Sequence, residues 1–526
     1  FNVSYRFNPG NKIVFRNTYT HDSDKTARSF SGYDGTSDAV ISGQRLRYVE
    51  RTLFATGLDG EHSLGWANSL FHWQFNVSTA KRDEPDLREV LRSVLPDGRQ
   101  SYVSSGNSGI RFFSNLDEKI YDPQADFSIP FFKGKVTGLF KVGVRASIRR
   151  RDFQARRFRY IPQDTSSINS FAPSNVIFDP SNIRPNGLEI VEFTRGTDKY
   201  TGDMDVYAGY AMVDLSIGPK LRLVGGIRME DANILVETAD PQIPNTIPAI
   251  SRLQNRDPAP SINLIYALTQ KQNLRASYSR TLSRPDFREL SPFDFVNVQG
   301  GFVTTGFPGL RRTAINNFDL RWELFPGGNQ LIAASLFVKK FSDPIEQIVL
   351  AANDLRQSFR NAKGARNAGF ELEFRQGLGS VHSAFKELSL SSNFTFVDSN
   401  IDLDPAISAI LTSQSRAMVG QSRYVFNGTL AWSRPRWHSD ARFLANYVSS
   451  KITDLGTFGV PDIYQQPVTT LDFSYQYTRG ERNQWQYRFE AENLSNNNFL
   501  WTQGAFTQRQ YVVGRTFQIG LSYSFF

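Results

Sequence analysis

Residues 141 to 151, KVGVRASIRRR, set Lys141, Arg145, Arg149 and Arg151 at even spacing. Side chains of an extended chain alternate between faces, so these four cations share one side and Val142, Val144, Ala146 and Ile148 the other. A stripe of this kind inside a pore would guide anions. The preceding stretch, EKIYDPQADFSIPFFKGK, carries the opposite charge. If Lys133 and Gly134 form a two-residue hairpin turn, Asp126 faces Lys141, Asp122 faces Arg145 and Glu118 faces Arg149. Such a ladder contributes roughly 0.2 to 1 kcal/mol per pair and neutralises most of the stripe. A structural role is therefore favoured over an anion path. Arg156, Arg157 and Arg159 have no acidic neighbours in sequence and are expected at a solvated outer rim, where phosphate or an anionic ligand would meet them.

Other clusters carry less chemistry. His21, Asp22 and Asp24 begin like a metal site, yet no second histidine stands at ligand spacing. Asp398, Asp402 and Asp404 offer carboxylate oxygens, but the spacing and glycine of a calcium loop are missing. No G-x-S-x-G turn or comparable cluster assembles a nucleophile, base and orienter. The expectation is no metal, no cofactor and no enzyme. Phe293, Phe295, Phe302, Phe307, Arg311 and Arg312 in one polar stretch, and Trp501 in another, are the residue types that grip a ligand. Such residues more often stiffen a long loop by packing inside it, and that reading is favoured over ligand contact.

Strands must position all of these. In TLDFSYQYT (470 to 478), Leu471, Phe473, Tyr475 and Tyr477 oppose Asp472, Ser474, Gln476 and Thr478. The same alternation recurs in FHWQFNVST (71 to 79), WQYRFEAE (485 to 492) and at Ile262, Leu264, Tyr266 and Leu268; His72 falls on the polar face. About nineteen such strands are legible, and helical periodicity is not persuasive anywhere.

Tight turns are read at NPGN (8 to 11), LDGE (58 to 61), FKGK (132 to 135), IGPK (217 to 220), PGGN (326 to 329), SRPR (433 to 436) and TRGERN (478 to 483). Long polar connections alternate with them, near 22–41, 81–119, 160–198, 239–258, 285–314, 349–364, 399–419, 451–466 and 496–513. Alternating strands with tight turns on one side and long loops on the other specify an all-β fold, a transmembrane antiparallel β-barrel whose aromatic face meets lipid and whose polar face lines a lumen.

Composition agrees. The 526 residues are 13% aromatic, but the apolar content is dispersed, and the densest run, IAASLFV at 332 to 338, is too short for a spanning helix. The absence of cysteine removes disulfides, thiolate metal sites and cysteine nucleophiles. A net charge of +9 suits lipopolysaccharide, an anionic ligand or nucleic acid. A nucleic-acid binder would interleave its aromatics along an aqueous groove, so no nucleic-acid partner is expected. At the end, FQIGLSYSF places Phe517, Ile519, Leu521, Tyr523 and Phe525 on one face, as a barrel-closing strand, with Phe526 one residue beyond.

Four segments carry a family likeness: LRASYSRTLSRPDFREL (274 to 290), GFPGLRRTAINNFDLRWELFPGGNQLIAASLFVKKFSDPIE (306 to 346), NAKGARNAGFELEFRQ (361 to 376) and AENLSNNNF (491 to 499). In order and spacing they resemble the barrel half of TonB-dependent outer-membrane receptors, over nearly the whole chain. Gly306, Pro308, Leu310 and Arg311 match that family's G-N-P-x-L-K/R motif, with Phe307 in place of Asn. Gly369 and Glu371 match its Gly-x-Glu-x-Glu strand, where Phe374 breaks the regularity, and Asn493 and Leu494 match its Asn-Leu pair. The aromatic end likewise resembles the signature read by the barrel-assembly machinery.

The resemblance implies about 22 strands around an N-terminal plug. With about nineteen strands here and no leader at Phe1, residues 1–526 are expected to be one barrel domain whose first strands, plug and TonB box lie upstream. It also implies location in the bacterial outer membrane and energised uptake of a scarce extracellular ligand such as a ferric siderophore, vitamin or oligosaccharide. The implied partners are the plug, the TonB complex, outer-membrane lipid and lipopolysaccharide, with a surface lipoprotein as a further candidate. A passive channel, or a surface barrel that anchors another protein or polymer, stays open beside it.

Overall fold

The computed structural model describes residues 1–35, 37–104, 108–164, 166, 168–239, 248–296, 302–328, 330–350, 356–480 and 484–525. Asn329, the last three residues of TRGERN and Phe526 lie outside them.

Alternation along the chain yields one dominant antiparallel sheet of 21 strands. Two are short appendages, Gln100–Tyr102 and Leu188–Glu192. The other nineteen form the wall in chain order. The first group is β1 (Asn2–Asn8), β2 (Asn11–Asp34), β3 (Ala39–Ser63), β4 (Leu70–Val94), β5 (Ile110–Lys133) and β6 (Val136–Pro162). Next come β7 (Lys199–Ile217), β8 (Leu221–Ala239), β9 (Pro248–Thr269), β10 (Gln272–Ser283), β11 (Thr313–Leu324), β12 (Leu331–Ser342) and β13 (Gly364–Gly377). The last are β14 (Leu388–Asp402), β15 (Tyr424–Arg434), β16 (Ser439–Val448), β17 (Val468–Arg479), β18 (Trp485–Glu492) and β19 (Thr516–Tyr523). Each pairs antiparallel with its sequence neighbour, across the short turns and the long loops alike.

Two expectations are corrected. LDGE is not a turn: it lies inside β3, and the chain reverses at residues 64–69, where Gly65, Ala67 and Asn68 take positive φ. Gly60 serves a different need, because a Cβ there would lie 2.3 Å from the Trp73 indole that lies across it. Much of the expected loops at 22–41 and 81–119 is strand, since β2 runs to Asp34, β3 starts at Ala39, β4 runs to Val94 and β5 starts at Ile110. The last strand, β19, has the expected alternation and pairs with β18; no ladder joins it to β1 among the described residues.

The faces separate as the period-two pattern requires. Ile519 is 88% exposed, and Phe517 and Leu521 are exposed with it. Phe473 opposes Phe443 and lies 6.3 Å from Phe489, while Tyr477 and Tyr487 are 5.9 Å apart, making a girdle of rings on the outer face. Neither Phe473 nor Tyr475 belongs to a buried cluster. Asp472, Ser474 and Gln476 face the other way. No described helix is long and apolar enough to cross a membrane.

Above the wall, the loops pair among themselves. Asp294–Val296, Val303–Thr305, Arg356–Asn361 and Ile345–Leu350 form one four-stranded sheet. Lys451–Asp454, Ile463–Gln465, Asn498–Gln503 and Phe506–Val512 form a second. Between them and the wall lie the buried apolar clusters, the largest built from Phe153, Tyr200, Ile234, Val236, Phe287, Leu290, Phe293 and Leu310.

Candidate functional site

The charge ladder forms with a shifted register. Gly134, with φ +60°, and Lys135 make the turn, so Lys133 opposes Val136 and every pairing moves by two residues from expectation. A shift of two keeps each side chain on its face, and the long side chains reach their partners diagonally. Lys141 Nζ lies 2.8 Å from Asp126, Arg145 Nη2 lies 2.5 Å from Asp122 and Arg149 Nε lies 2.7 Å from Glu118. The ladder extends sideways across the lumen wall: His72 bridges Asp126 at 3.0 Å and Asp59 at 2.9 Å, and Arg16 reaches Asp59 at 3.6 Å.

At its outer end the ladder meets the segment 284–312. Glu118 also accepts from Arg151 at 2.6 Å, and Arg149 and Arg151 both reach Asp286, at 3.4 and 3.0 Å. Asp286 caps the short turn Phe287–Leu290 by accepting from Arg288 N–H, while Glu289 accepts from the Asp286 N–H. The guanidinium groups of Arg149 and Arg151 lie 4.9 and 5.2 Å from the Phe287 ring centre. Gly202 on β7 admits that ring: a Cβ there would stand 2.7 Å from it. The sequence reads SRPDF because Pro285 ends the strand, Asp286 caps and clamps, and Phe287 fills the core.

The GFPGLRR stretch seals the same segment. Gly306 has no room for a Cβ, which would lie 2.0 Å from Ser291 O. Leu310 is buried, Pro308 O accepts from Ser251 at 2.7 Å, and Arg312 grips Asp257 with two bonds of 2.7 and 2.5 Å. Asp257 is only 1% exposed. Arg311 pairs with Asp343 at 2.5 Å, and Asn361 ties both chains together through their backbones.

The ligand candidates are thus distributed as follows. Phe293 is in the buried core, with Phe295 and Phe307 packed against it. Phe302 packs against a second cluster around Ile401 and Leu403. Trp501 is buried in the accessory sheet, stacked on Tyr511 and under Arg509. Arg312 is half-buried in its pair, and Arg311 keeps exposure beside Asp343. The ladder and the loop residues meet at Asp286, but Trp501 stands apart. His21 and Asp22 are strand residues bonded to Thr52 and Arg51, and Asp398 and Asp402 lie on β14. At the rim, Arg156 pairs with Glu192 and Arg157 with Asp198, both more distant in sequence than adjacency reveals.

Two features escaped sequence reading. A pocket of about 330 Å³ opens on the lumen wall, lined by Arg145, Arg149, Arg228 and Arg284 with Glu230 and Asp286. Glu230 is held between Arg228 at 2.6 Å and Arg284 at 2.7 Å. Next to it, Arg288 stacks over Phe295 at 3.3 Å and has no carboxylate partner among the described residues. Much of it is surrounded by protein, yet the residue keeps solvent access. That burial pulls its guanidinium below the ordinary range; the charges of Arg82 and Arg47 add to the effect, and Tyr200 and the more distant Asp286 carboxylate oppose it. The signal for Arg288 was its place in the SRPDFREL segment; its isolation from acids only exists in three dimensions.

Residues 2–494 match the family model described as TonB dependent receptor-like, beta-barrel. No curated protein matches the chain in sequence. Solved structures share the fold at low identity. The siderophore receptor PiuA from Acinetobacter baumannii is 12% identical, with 99% of this chain and 78% of that one covered at a TM-score of 0.57. BauA, the ferric preacinetobactin receptor of the same organism, is 14% identical, with coverage of 99% and 77% and a TM-score of 0.59. The copper transporter OprC is 13% identical, with coverage of 100% and 77% and a TM-score of 0.61.

Proposed function

The chain belongs to the TonB-dependent receptor-like β-barrel family, and from that premise we propose that it carries a scarce anionic nutrient, best a ferric chelate, through the outer membrane in a TonB-dependent step. It is an outer-membrane receptor of a bacterial cell. The reading of its cargo rests on Arg288, an exposed guanidinium on the short turn Phe287–Leu290 that has no ion pair among the described residues, beside a wall where most neighbouring arginines are paired. An anion arriving from outside would gain a charge-assisted hydrogen bond there without breaking an existing ion pair. The four arginines that line the pocket beside it are each already paired, to Asp122, Glu118, Asp286 or Glu230, so it is Arg288 that supports an anionic chelate over a neutral oligosaccharide. PiuA and BauA, which share the fold, carry siderophore receptor and ferric preacinetobactin receptor in their names.

Of the loop residues, Arg311 and Arg312 are proposed to hold the mouth in shape, with Phe293, Phe295, Phe302, Phe307 and Trp501 as the packing behind it. The proposed energy source is the TonB complex pulling on a plug within the barrel. Uptake of labelled ferric chelates by whole cells tests both halves. Arg288→Ala should lower uptake on the order of tenfold at equal receptor abundance, and a protonophore should stop uptake by the unaltered receptor. Uptake that persists without a proton gradient would leave a passive channel as the reading.

A further inference from the structure

The lipid side of the wall carries a second arrangement of cations. Strand pairing sets Arg280 on β10 opposite Asn316 on β11, Asn316 opposite Lys340 on β12, Lys340 opposite Arg366 on β13, and Arg366 opposite Asn400 on β14. Five residues from five adjacent strands thus lie in one row. All are on the outward face: they are in phase with the exposed Leu320 and Leu336, while Asn317, Ser335 and Asn367, one residue out of phase, are buried. Lys340 and Arg366 are exposed and Arg280 is half-buried.

Height gives the row its meaning. Arg280 stands eight residues above Gln272, where β10 leaves its tight turn. A tilted strand needs about 9 to 11 residues to cross the hydrocarbon layer, so the row sits where the outer leaflet's hydrocarbon ends. One pairing step lower, Tyr278 and Phe318 hold their rings 5.1 Å apart, and the Tyr278 hydroxyl turns upward to donate to Asn316 at 3.0 Å. Below that come Leu320, Leu336 and Phe370. Apolar, aromatic and cationic layers in this order match the passage from acyl chain to headgroup.

Among the described residues, Arg280, Lys340 and Arg366 have neither an ion pair nor a side-chain hydrogen bond. This contrasts with the outward cations higher on the wall: Arg150 pairs with Asp203 and Asp205, Arg256 with Asp231, and Lys81 with Asp117. Asp398 and Asp402 flank the β14 end of the row, which places the most cationic stretch over β10 to β13.

We propose that this row docks the phosphate-bearing headgroup of an outer-leaflet lipid, with Arg280, Lys340 and Arg366 contacting phosphate and the two asparagines its sugar or amide groups. Each exposed cation near a membrane surface contributes a modest attraction to an anionic headgroup, and three in a row sum to a specific site. The row is independent of the lumen and of the cargo carried there.

Native mass spectrometry of the detergent-purified protein with added lipid A tests this. The unaltered protein should retain lipid A bearing both phosphates and release the dephosphorylated form. The combined change Arg280→Gln, Lys340→Gln and Arg366→Gln should weaken retention on the order of a hundredfold, and Lys340→Gln alone about fivefold; the single change serves if the triple one does not assemble. Arg256→Gln, outside the row, should have no effect. Unchanged retention by Lys340→Gln, equal retention of the dephosphorylated lipid, or displacement by an equal concentration of inorganic phosphate would overturn the proposal.

Discussion

The two ends of the chain build the same wall by different rules. Strands β2 to β6 run 24 to 27 residues, whereas β15 to β19 run 8 to 12. The short strands are about as long as the roughly 9 to 11 residues of a membrane crossing, and every second residue faces lipid. The long ones continue past the membrane, where both faces are wet and the sequence carries charge on each: Asp22 pairs with Arg51, Arg47 with Glu84, and Lys81 with Asp117. Backbone pairing alone sustains them there, assisted by these bridges. Lipid imposes alternation, and water does not.

That difference can be broken from several directions, the largest effect first. Arg312→Gln leaves Asp257 buried without its partner and should cost about 3 to 5 kcal/mol. Denaturant unfolding in vesicles should show it, with early loss of protease resistance in the segment 285–312. A charge placed in the lipid belt should cost less but discriminate better. Leu336→Arg, at a 58% exposed position on β12, should lose about 2 to 4 kcal/mol. Leu46→Arg, 52% exposed on the extension of β3, should stay within about 0.5 kcal/mol. Equal costs at the two sites would dissolve the comparison.

Smaller effects should separate the ion pairs. Arg145→Gln, on the lumen wall against Asp122, should lose about 0.2 to 1 kcal/mol, and Arg51→Gln on the extension less than that, with the loss shrinking as salt is added. The rim clamp should be seen only in acid. Hydrogen bonds from Arg156 and Thr194 push the Glu192 carboxyl down to about 2 from 4.5. A carboxylate whose folded pKa is depressed adds stability that is complete above the unfolded value and lost as pH falls through the folded one. Protection of the 192–198 segment against proteolysis should therefore hold at pH 5 and fade toward about pH 2, and Arg156→Gln should move the loss to about pH 4 to 5.

The same rule decides what the sequence disclosed. Where lipid presses on one face, as at Leu471 to Tyr477, the strand, its facing and its neighbours were legible. On the extensions, Thr20 to Asp34 and Lys81 to Val94, the alternation fades, so pairing that exists was read as loop. The ladder was legible in its partners but not its register, because a slip of two residues preserves facing and long side chains tolerate the diagonal. At the mouth, Arg312 and Phe293 were singled out for a ligand because their types suit one. Their burial depends on Asp257, Phe153 and Tyr200, which lie far away in sequence. Arg288 was missed for the complementary reason: being unpaired is a property of surroundings.

The absence of cysteine makes the central claim directly measurable, because one introduced thiol carries one label. Phe473→Cys and Ser474→Cys, each bearing an environment-sensitive fluorophore in lipid vesicles, should respond oppositely. The label at 473 should be quenched by brominated acyl chains and that at 474 by aqueous iodide. Quenching of the 473 label by iodide with no response to the brominated lipid would contradict a wall whose aromatic face meets the membrane.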